Sequence, residues 1–142
     1  MRPSSRLTVA IHLLTLLAYG DGEEPVTSEL AAASVGTNAV VIRRLLALLR
    51  KARLVRSRGG PGGGWQLLVP AERISLRDVY RAVEDAALFP LHASTPSARC
   101  PVGRTIQAAL EGHYREARLA VERDLARTSI ADLIGEVKQM AS

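Results

Sequence analysis

The chain has 142 residues, the length of one ordinary domain, and 47% of them are apolar while 23% are charged. This composition excludes an intrinsically disordered chain and leaves enough apolar residues for a sizeable core. Aromatic residues make up only 4%, so the core must be aliphatic, which favours packed helices over a large β-sandwich. The single cysteine, Cys100, excludes a disulfide framework and an all-cysteine metal site within one chain and is typical of a reducing compartment.

Positive charge is concentrated in one segment of the chain. The formal net charge is +5, but residues 30–71 alone carry seven basic side chains and no acidic one. The remaining 100 residues carry 12 basic and 14 acidic side chains. Since 17 of the 19 basic residues are arginines, whose planar fork pairs with phosphates and base edges, the segment predicts a nucleic-acid-binding element. An ordinary hydrated basic face is the alternative.

The N-terminal apolar stretch has the outline of a signal peptide because two arginines flank its start. Within it, Thr8, His12, Thr15 and Tyr19 recur at spacings of 4, 3 and 4, which places them on one stripe of a helix. A secretory segment does not need such a stripe, and no apolar run approaches the ~20 residues of a membrane helix. We therefore expect a helix from about Ser4 to Tyr19 in a cytoplasmic protein without a membrane partner.

Two further helices are predicted close together in the chain. Thr27 or Ser28 can cap a short second helix, which ends at a glycine. Thr37 or Asn38 can cap a third helix that runs to about Ala52. Two helices joined by a tight, glycine-containing turn form a helix-turn-helix.

The third helix is predicted to be amphipathic. Its leucines fall on one face at ~100° per residue, whereas small and basic residues fall on the other: Val40, Arg43, Arg44, Ala47, Arg50 and Lys51. A recognition helix would bury the first face and offer the second to the major groove of DNA. A surface helix with a hydrated basic face would show the same pattern.

A strand, a glycine loop and a second strand follow directly, at residues 54–58, 59–64 and 65–69. A hairpin after a recognition helix is a wing, whose glycines let the backbone approach phosphates and whose arginines can reach the minor groove. A nucleotide-binding phosphate loop does not fit, because no Gly-Lys-Ser/Thr sequence follows and the glycines lead into a strand.

The C-terminal part of the chain predicts a long helix. Ser75 and Asp78 form a capping box for a fourth helix, and after a loop Pro101 suits the first position of a helix that runs to about Arg127. Its apolar stripe consists of Ile106, Leu110, His113 or Tyr114, Ala117, Val121 and Leu125. A helix of ~40 Å is long for so small a domain, so we expect it to pack against a second copy. Folding back onto its own core is the alternative.

Two i,i+4 ion pairs, Glu111 with Arg115 and Arg118 with Glu122, are expected outside that stripe. A last helix is predicted after Ser129, which forms a second capping box with an aspartate. The expected domains are a winged helix-turn-helix over residues 1–85, a linker loop over residues 86–100 and dimerisation helices over residues 101–142.

Three segments in this order resemble the Rrf-two family of bacterial winged-helix transcriptional regulators: Leu49–Val55, Gly60–Trp65 and Ile74–Glu84. The resemblance covers nearly the whole chain. It implies a mainly α fold, with a winged helix-turn-helix DNA-binding domain and a long C-terminal dimerisation helix, in a homodimer that binds palindromic, double-stranded promoter DNA. The candidate DNA-binding residues are Ser28, Thr37, Asn38, Val40, Val41, Arg43, Arg44, Arg56, Arg58 and Gly60.

Two features depart from the common pattern of that family. Many members carry an arginine directly before the Gly-Pro-Gly-Gly-Gly wing tip, where this chain has Gly59 after Arg58. Members that bind an iron-sulfur cluster carry three cysteines after the fourth helix, where this chain has only Cys100, too few for ligation by four cysteines. Residues 36–41 and 100–103 are instead similar to the cluster-less, YwnA-like branch. We therefore expect neither a cofactor nor a metal ion.

Cys100 lies directly before the predicted long helix, where the positive end of the helix dipole and Arg99 favour a thiolate. A redox-sensing thiol and an ordinary cap residue both fit this position. His92 and His113 lack a recognised metal-ligand spacing with it.

The sequence therefore predicts a DNA-binding transcriptional regulator, with repression as its expected action and a response to oxidants through Cys100 as a candidate input. A non-catalytic winged-helix protein-interaction module is the alternative, although the acid-free basic segment favours DNA. An enzyme with Cys100 as nucleophile has no support, because no motif places a histidine beside it.

Overall fold

A computed structural model describes residues 4–20 and 22–142 of the chain. In chain order the elements are α1 (Arg6–Ala18), α2 (Ser28–Val35), α3 (Ala39–Lys51), β1 (Val55–Arg58), β2 (Gly64–Leu67), α4 (Leu76–Val83), α5 (Pro101–Leu125) and α6 (Ile130–Ala141). One turn of 3₁₀ helix, Ala71–Arg73, precedes α4. The two strands form an antiparallel hairpin in which Val55 lies opposite Leu67. The predicted mainly helical class is confirmed.

Capping side chains set the boundaries of α2 and α3. The Thr27 hydroxyl accepts a hydrogen bond from the Leu30 N–H at 3.1 Å, and Asn38 Oδ1 accepts one from the Val41 N–H at 3.1 Å. Gly36 ends α2 with a left-handed backbone at φ 82°, a conformation that costs glycine little. Of the predicted alternatives, Thr27 and Asn38 are thus the residues whose side chains cap these helices.

The core is aliphatic and is built around α1, which contacts α2, α3, α4, α6 and β2. Burying side chains of this size contributes about 1.5–3 kcal/mol each to stability. The largest fully buried side chains are Leu13, Leu14, Ile42, Leu46, Leu49, Ile74, Ile130, Val55, Val79 and Val83. They come from both ends of the chain, so the winged-helix unit includes the start of α6.

The start of α1 is tied to the end of α4. Arg6 begins α1 two residues later than predicted, and its Nη1 donates to the Val83 carbonyl at 3.0 Å and pairs with Asp85 Oδ1 at 2.9 Å. The two ends of the winged-helix unit are therefore held together by a charged side chain as well as by the core.

The long helix α5 is mostly exposed in the single chain. Its 25 residues are all described, and only Glu122 is buried among them. The predicted i,i+4 pair of Arg118 with Glu122 is present, with Glu122 Oε2 3.9 Å from Arg118 Nε, but Glu122 Oε1 also lies 2.7 Å from Arg81 Nε of α4, a contact that the sequence does not predict. The periodicity of an isolated helix does not reveal which of its faces meets α4.

The last helix, α6, packs against α1, and Ile130 at its start belongs to the core. Ser129 and Asp132 form the predicted capping box, as do Ser75 and Asp78 before α4. The division of the chain into domains at residues 85 and 100 stays a prediction.

No single helix among the described residues is long and apolar enough to cross a membrane. Only α2 and α3 together pass a test of length and composition, as a pair bent by 109°.

Candidate nucleic-acid interface

Helices α2 and α3 form a helix-turn-helix. They meet at 109°, within the ~90–120° range of this motif, and only three residues separate them. The buried face of α3 consists of Ile42, Leu45, Leu46 and Leu49. Because this face is fixed in the core, the opposite face of α3 is held towards solvent.

Most of the predicted recognition residues lie together on that exposed face. Asn38, Val40, Val41, Arg43 and Arg44 are exposed at the start of α3. Val40 keeps 54% and Val41 36% of its surface, so apolar side chains lie beside the arginines on this face. Thr37, in the turn before the helix, is half-buried.

Ser28 is the exception among the candidates. It is only 9% exposed at the first position of α2, so little of its hydroxyl is accessible to a partner. We leave its side chain out of the interface.

Arg43 already has a partner in the free protein. Its Nη2 lies 2.9 Å from Glu29 Oε1, and the two side chains are 54% and 71% exposed. An ion pair this exposed contributes only about 0–1 kcal/mol, so Arg43 can exchange the carboxylate for an acceptor on DNA. This contact is not predictable from the sequence, because a spacing of 14 residues across a turn follows no helical or strand period.

The two wing arginines lie in different environments. Arg56 lies opposite Gln66 in the hairpin, and its Nη2 is 3.5 Å from Gln66 Oε1. Gln66 is itself buried and donates to the Glu23 carbonyl at 2.7 Å. Arg58 is exposed at the end of β1. Arg56 is therefore anchored on the wing, whereas Arg58 projects beside its tip, which begins at Gly59 and Gly60.

The wing is attached to the body on two sides. Val26 and Trp65 exchange backbone hydrogen bonds of 3.0 and 2.8 Å. They form an isolated antiparallel bridge beside β2. The Arg50 guanidinium, at the end of α3, lies 5.7 Å from the centroid of the Trp65 ring, within range of a cation–π contact. The wing therefore lies directly beside the exposed face of α3.

Cys100 caps α5 by its backbone position only. It is exposed, and its side chain accepts no hydrogen bond from the helix. At Gly103, a Cβ atom would lie 2.7 Å from the Ser97 carbonyl oxygen, so this glycine lets the preceding loop pack against the first turn of α5. The described residues contain no group of three or more histidine, cysteine, aspartate or glutamate side chains that could hold a metal ion.

Comparison with known proteins identifies the family. A family model described as an iron-dependent transcriptional regulator, Rrf2, matches residues 3–136. The chain belongs to the Rrf2 family. Its helix-turn-helix is that of a transcriptional regulator, and the protein is not an enzyme. The resemblance inferred from its wing and α4 is thereby confirmed.

Individual relatives extend this result over the whole chain. The HTH-type transcriptional regulator YwnA of Bacillus subtilis is 42% identical over 135 residues, which cover 94% of this chain and 98% of YwnA. A solved structure of a DNA-binding protein is 41% identical and superposes with a TM-score of 0.72 over 92% of this chain and 99% of its own. The oxidised form of Staphylococcus aureus CymR is 26% identical, with a TM-score of 0.66 over 94% and 96%.

The iron named in the family description does not fit the donor set of this chain. Cys100 is its one cysteine, and the described residues offer no cluster of metal-ligating side chains. We therefore derive no step of its action through iron.

Gly64, at the start of β2, packs closely against the backbone of Val26. A Cβ atom at Gly64 would lie 2.7 Å from the Val26 carbonyl oxygen, on a backbone at φ 150°. We expect Gly64→Ala to destabilise the fold by about 1–3 kcal/mol and to detach the wing from Val26. Gly59→Ala is the matched control, because nothing lies within 4 Å of a Cβ there. Thermal denaturation followed by circular dichroism measures both, and equal melting temperatures would contradict the prediction.

Proposed function

We propose that the protein is a sequence-specific DNA-binding repressor that acts in the cytoplasm as a homodimer on palindromic promoter DNA. The observation that carries this proposal is the exposed face of α3, where Arg43 and Arg44 project beside two valines. This face adjoins a glycine wing, within a segment of 42 residues that has no acidic side chain. Such a surface matches the negative charge of DNA and can also read its bases.

The start of α3 has suitable groups for reading the major groove. Arginine donates to guanine O6 and N7, the carboxamide of asparagine pairs with adenine, and apolar side chains contact the thymine methyl. Arg43 and Arg44 provide the first kind of group, Asn38 the second, and Val40 and Val41 the third. Asn38 uses its oxygen for the helix cap, so its NH₂ group remains as a donor.

The wing provides contacts to the DNA backbone. Arg58 and the N–H groups of the tip, including Gly60, lie on the exposed edge of the hairpin. Arg56, held by Gln66, adds a second positive charge along β1. These groups would bind phosphates beside the major-groove site and fix the register of α3 on the duplex.

The homodimer is supported by the surface of α5. Ile106, Leu110 and Ala117 are only partly covered, and Val121 keeps 38% of its surface. A 25-residue helix with an apolar stripe and one buried residue is stable when a second copy covers the stripe. A two-fold axis along α5 would present two recognition helices to the two halves of a palindrome. Occupancy of a promoter is then sufficient for repression.

A response to oxidants through Cys100 is the regulatory part of the proposal. The thiol is exposed at the start of the helix that forms the dimer, and a related regulator, CymR, has a solved oxidised form. Peroxide would convert the thiolate to a sulfenic acid with release of hydroxide. The sulfenic acid is larger and more polar than the thiol. It would disturb the packing of the preceding loop, at Ser97, against Gly103 in the first turn of α5.

DNA binding is tested by replacing the two arginines of α3. We expect the protein to bind an inverted-repeat duplex, selected from random-sequence DNA, in a salt-sensitive manner. Arg43→Ala and Arg44→Ala should each weaken binding by about 1–3 kcal/mol. Arg127→Ala removes the same charge two residues after the end of α5, outside the acid-free basic segment, and should have little effect. Fluorescence anisotropy measures these affinities, and an absence of duplex binding at low salt would overturn the proposal.

The homodimer is tested on the apolar stripe of α5. Leu110→Glu combined with Val121→Glu places two charges where the partner is expected, so the protein should become monomeric or aggregate. Glu116→Gln, on an exposed side of the same helix, is the control and should leave a dimer. Light scattering at micromolar concentration measures the mass, and a monomeric wild-type protein would remove the hypothesis.

The role of Cys100 is tested with Cys100→Ser. This variant should bind the selected duplex as well as the wild-type protein does, but peroxide should no longer release it from DNA. The anisotropy assay with and without peroxide compares the two proteins. If both are released to the same extent, Cys100 is a structural residue.

A further inference from the structure

Two attachments join the C-terminal end of α5 to the region of α4, and further along the helix the Tyr114 ring stacks on Phe89 of the preceding loop with centroids 5.4 Å apart. The first is a pair of backbone hydrogen bonds after the C-terminal end of α5: the Leu76 N–H donates to the Thr128 carbonyl at 2.9 Å, and the Ile130 N–H donates to the Ile74 carbonyl at 2.8 Å. This attachment fixes the position of the chain just after α5. It does not by itself fix the angle between α5 and α4.

The second attachment is the ion pair between Glu122 and Arg81. Glu122 Oε1 accepts from Arg81 Nε at 2.7 Å, a short, charge-assisted hydrogen bond. Glu122 is the one buried residue of α5, and its side chain is 11% exposed against 57% for Arg81. Arg118 is the other cation facing the carboxylate, at 3.9 Å. Glu122 lies in the last turn of α5, six residues before Thr128, so the two attachments together hold this end of the helix against α4.

The length of α5 amplifies any change at this pair. Twenty-five residues span about 37 Å at 1.5 Å per residue, so a tilt of about 10° at one end moves the other by about 6 Å. Neighbouring base pairs of DNA are about 3.4 Å apart along each strand. A small rotation of α5 against α4 therefore corresponds to a shift of one to two base pairs between the half-sites that a dimer can reach.

We propose that Glu122 and Arg81 are positioning residues that set the spacing between the two half-sites this protein recognises. The inference rests on the proposed function, because it requires a dimer that binds an inverted repeat. Neither residue contacts DNA in this scheme. They act through the angle of α5, and with it through the distance between the two copies of α3.

The experiment uses the inverted-repeat duplex that the wild-type protein selects from random-sequence DNA. A set of derivatives has the central spacer lengthened or shortened by one to three base pairs, and one duplex has a scrambled half-site. Affinities for all of them are measured by fluorescence anisotropy with wild-type protein, Glu122→Gln and Arg81→Ala. Arg81 is more than half exposed, so its replacement keeps the test valid if the Glu122 variant folds poorly.

We expect the wild-type protein to prefer one spacer, and both variants to lose about tenfold of that discrimination, the coupling typical of residues in one charge network. Their affinity for the duplex with one intact half-site should stay within about twofold of wild type, because α3 and the wing are unchanged. Light scattering should still show dimers. The double variant should lose no more discrimination than either single one, since both changes break the same pair. Glu116→Gln, an exposed carboxylate on α5, should keep the wild-type spacer profile.

Two results would overturn the inference while leaving the proposed function intact. Both variants could show the wild-type spacer profile, or they could lose affinity for single and paired half-sites in the same proportion, which would indicate a general loss of structure. A wild-type protein that selects no duplex at all would overturn the proposed function and this inference with it.

Discussion

The burial of one face of α3 is the constraint on which the interface depends. Ile42, Leu46 and Leu49 are almost completely removed from solvent, and each contributes about 1.5–3 kcal/mol. A rotation of α3 about its axis would expose these side chains, so the free-energy cost holds the helix in one orientation. Arg43 and Arg44 are projected outwards as a consequence. The residues that stabilise α3 in the core and the residues proposed to contact DNA thus lie on opposite faces of the same 13-residue helix.

The same burial directs the chain into the wing. At the end of α3, Arg53 takes a left-handed backbone at φ 62°, a position where helices more commonly have glycine, and the Leu54 N–H returns to the Leu49 carbonyl at 3.0 Å. Leu54 and Val55 are buried, so β1 starts from the core. The contact of Arg50 with Trp65 then joins the end of α3 to β2. The position of the wing therefore depends on the burial of Leu54 and Val55 in the core.

The sequence predicts elements and caps well, because these depend on neighbouring residues. The capping boxes at Ser75 and Ser129, the helix-turn-helix and the hairpin all follow from local patterns. What it does not predict depends on contacts between distant segments. The period of α5 does not show that Glu122 faces α4. The position of Ser28 at the start of a helix likewise does not show that its side chain is buried. The pairing of Arg43 with Glu29 is lost for the same reason, because it depends on the angle between α2 and α3.

That pairing makes the two arginines of α3 unequal. In the proposed complex with DNA, Arg43 would exchange one charged acceptor, Glu29, for another, so its net contribution to affinity would be the difference between the two contacts. Arg44 forms no ion pair among the described residues, and it gains a contact without losing one. A base that satisfies both nitrogens of the Arg43 fork compensates for the lost carboxylate better than a single phosphate oxygen does. If Arg43 contacts DNA as proposed, Glu29 would shift its role from general attraction to DNA towards discrimination between bases.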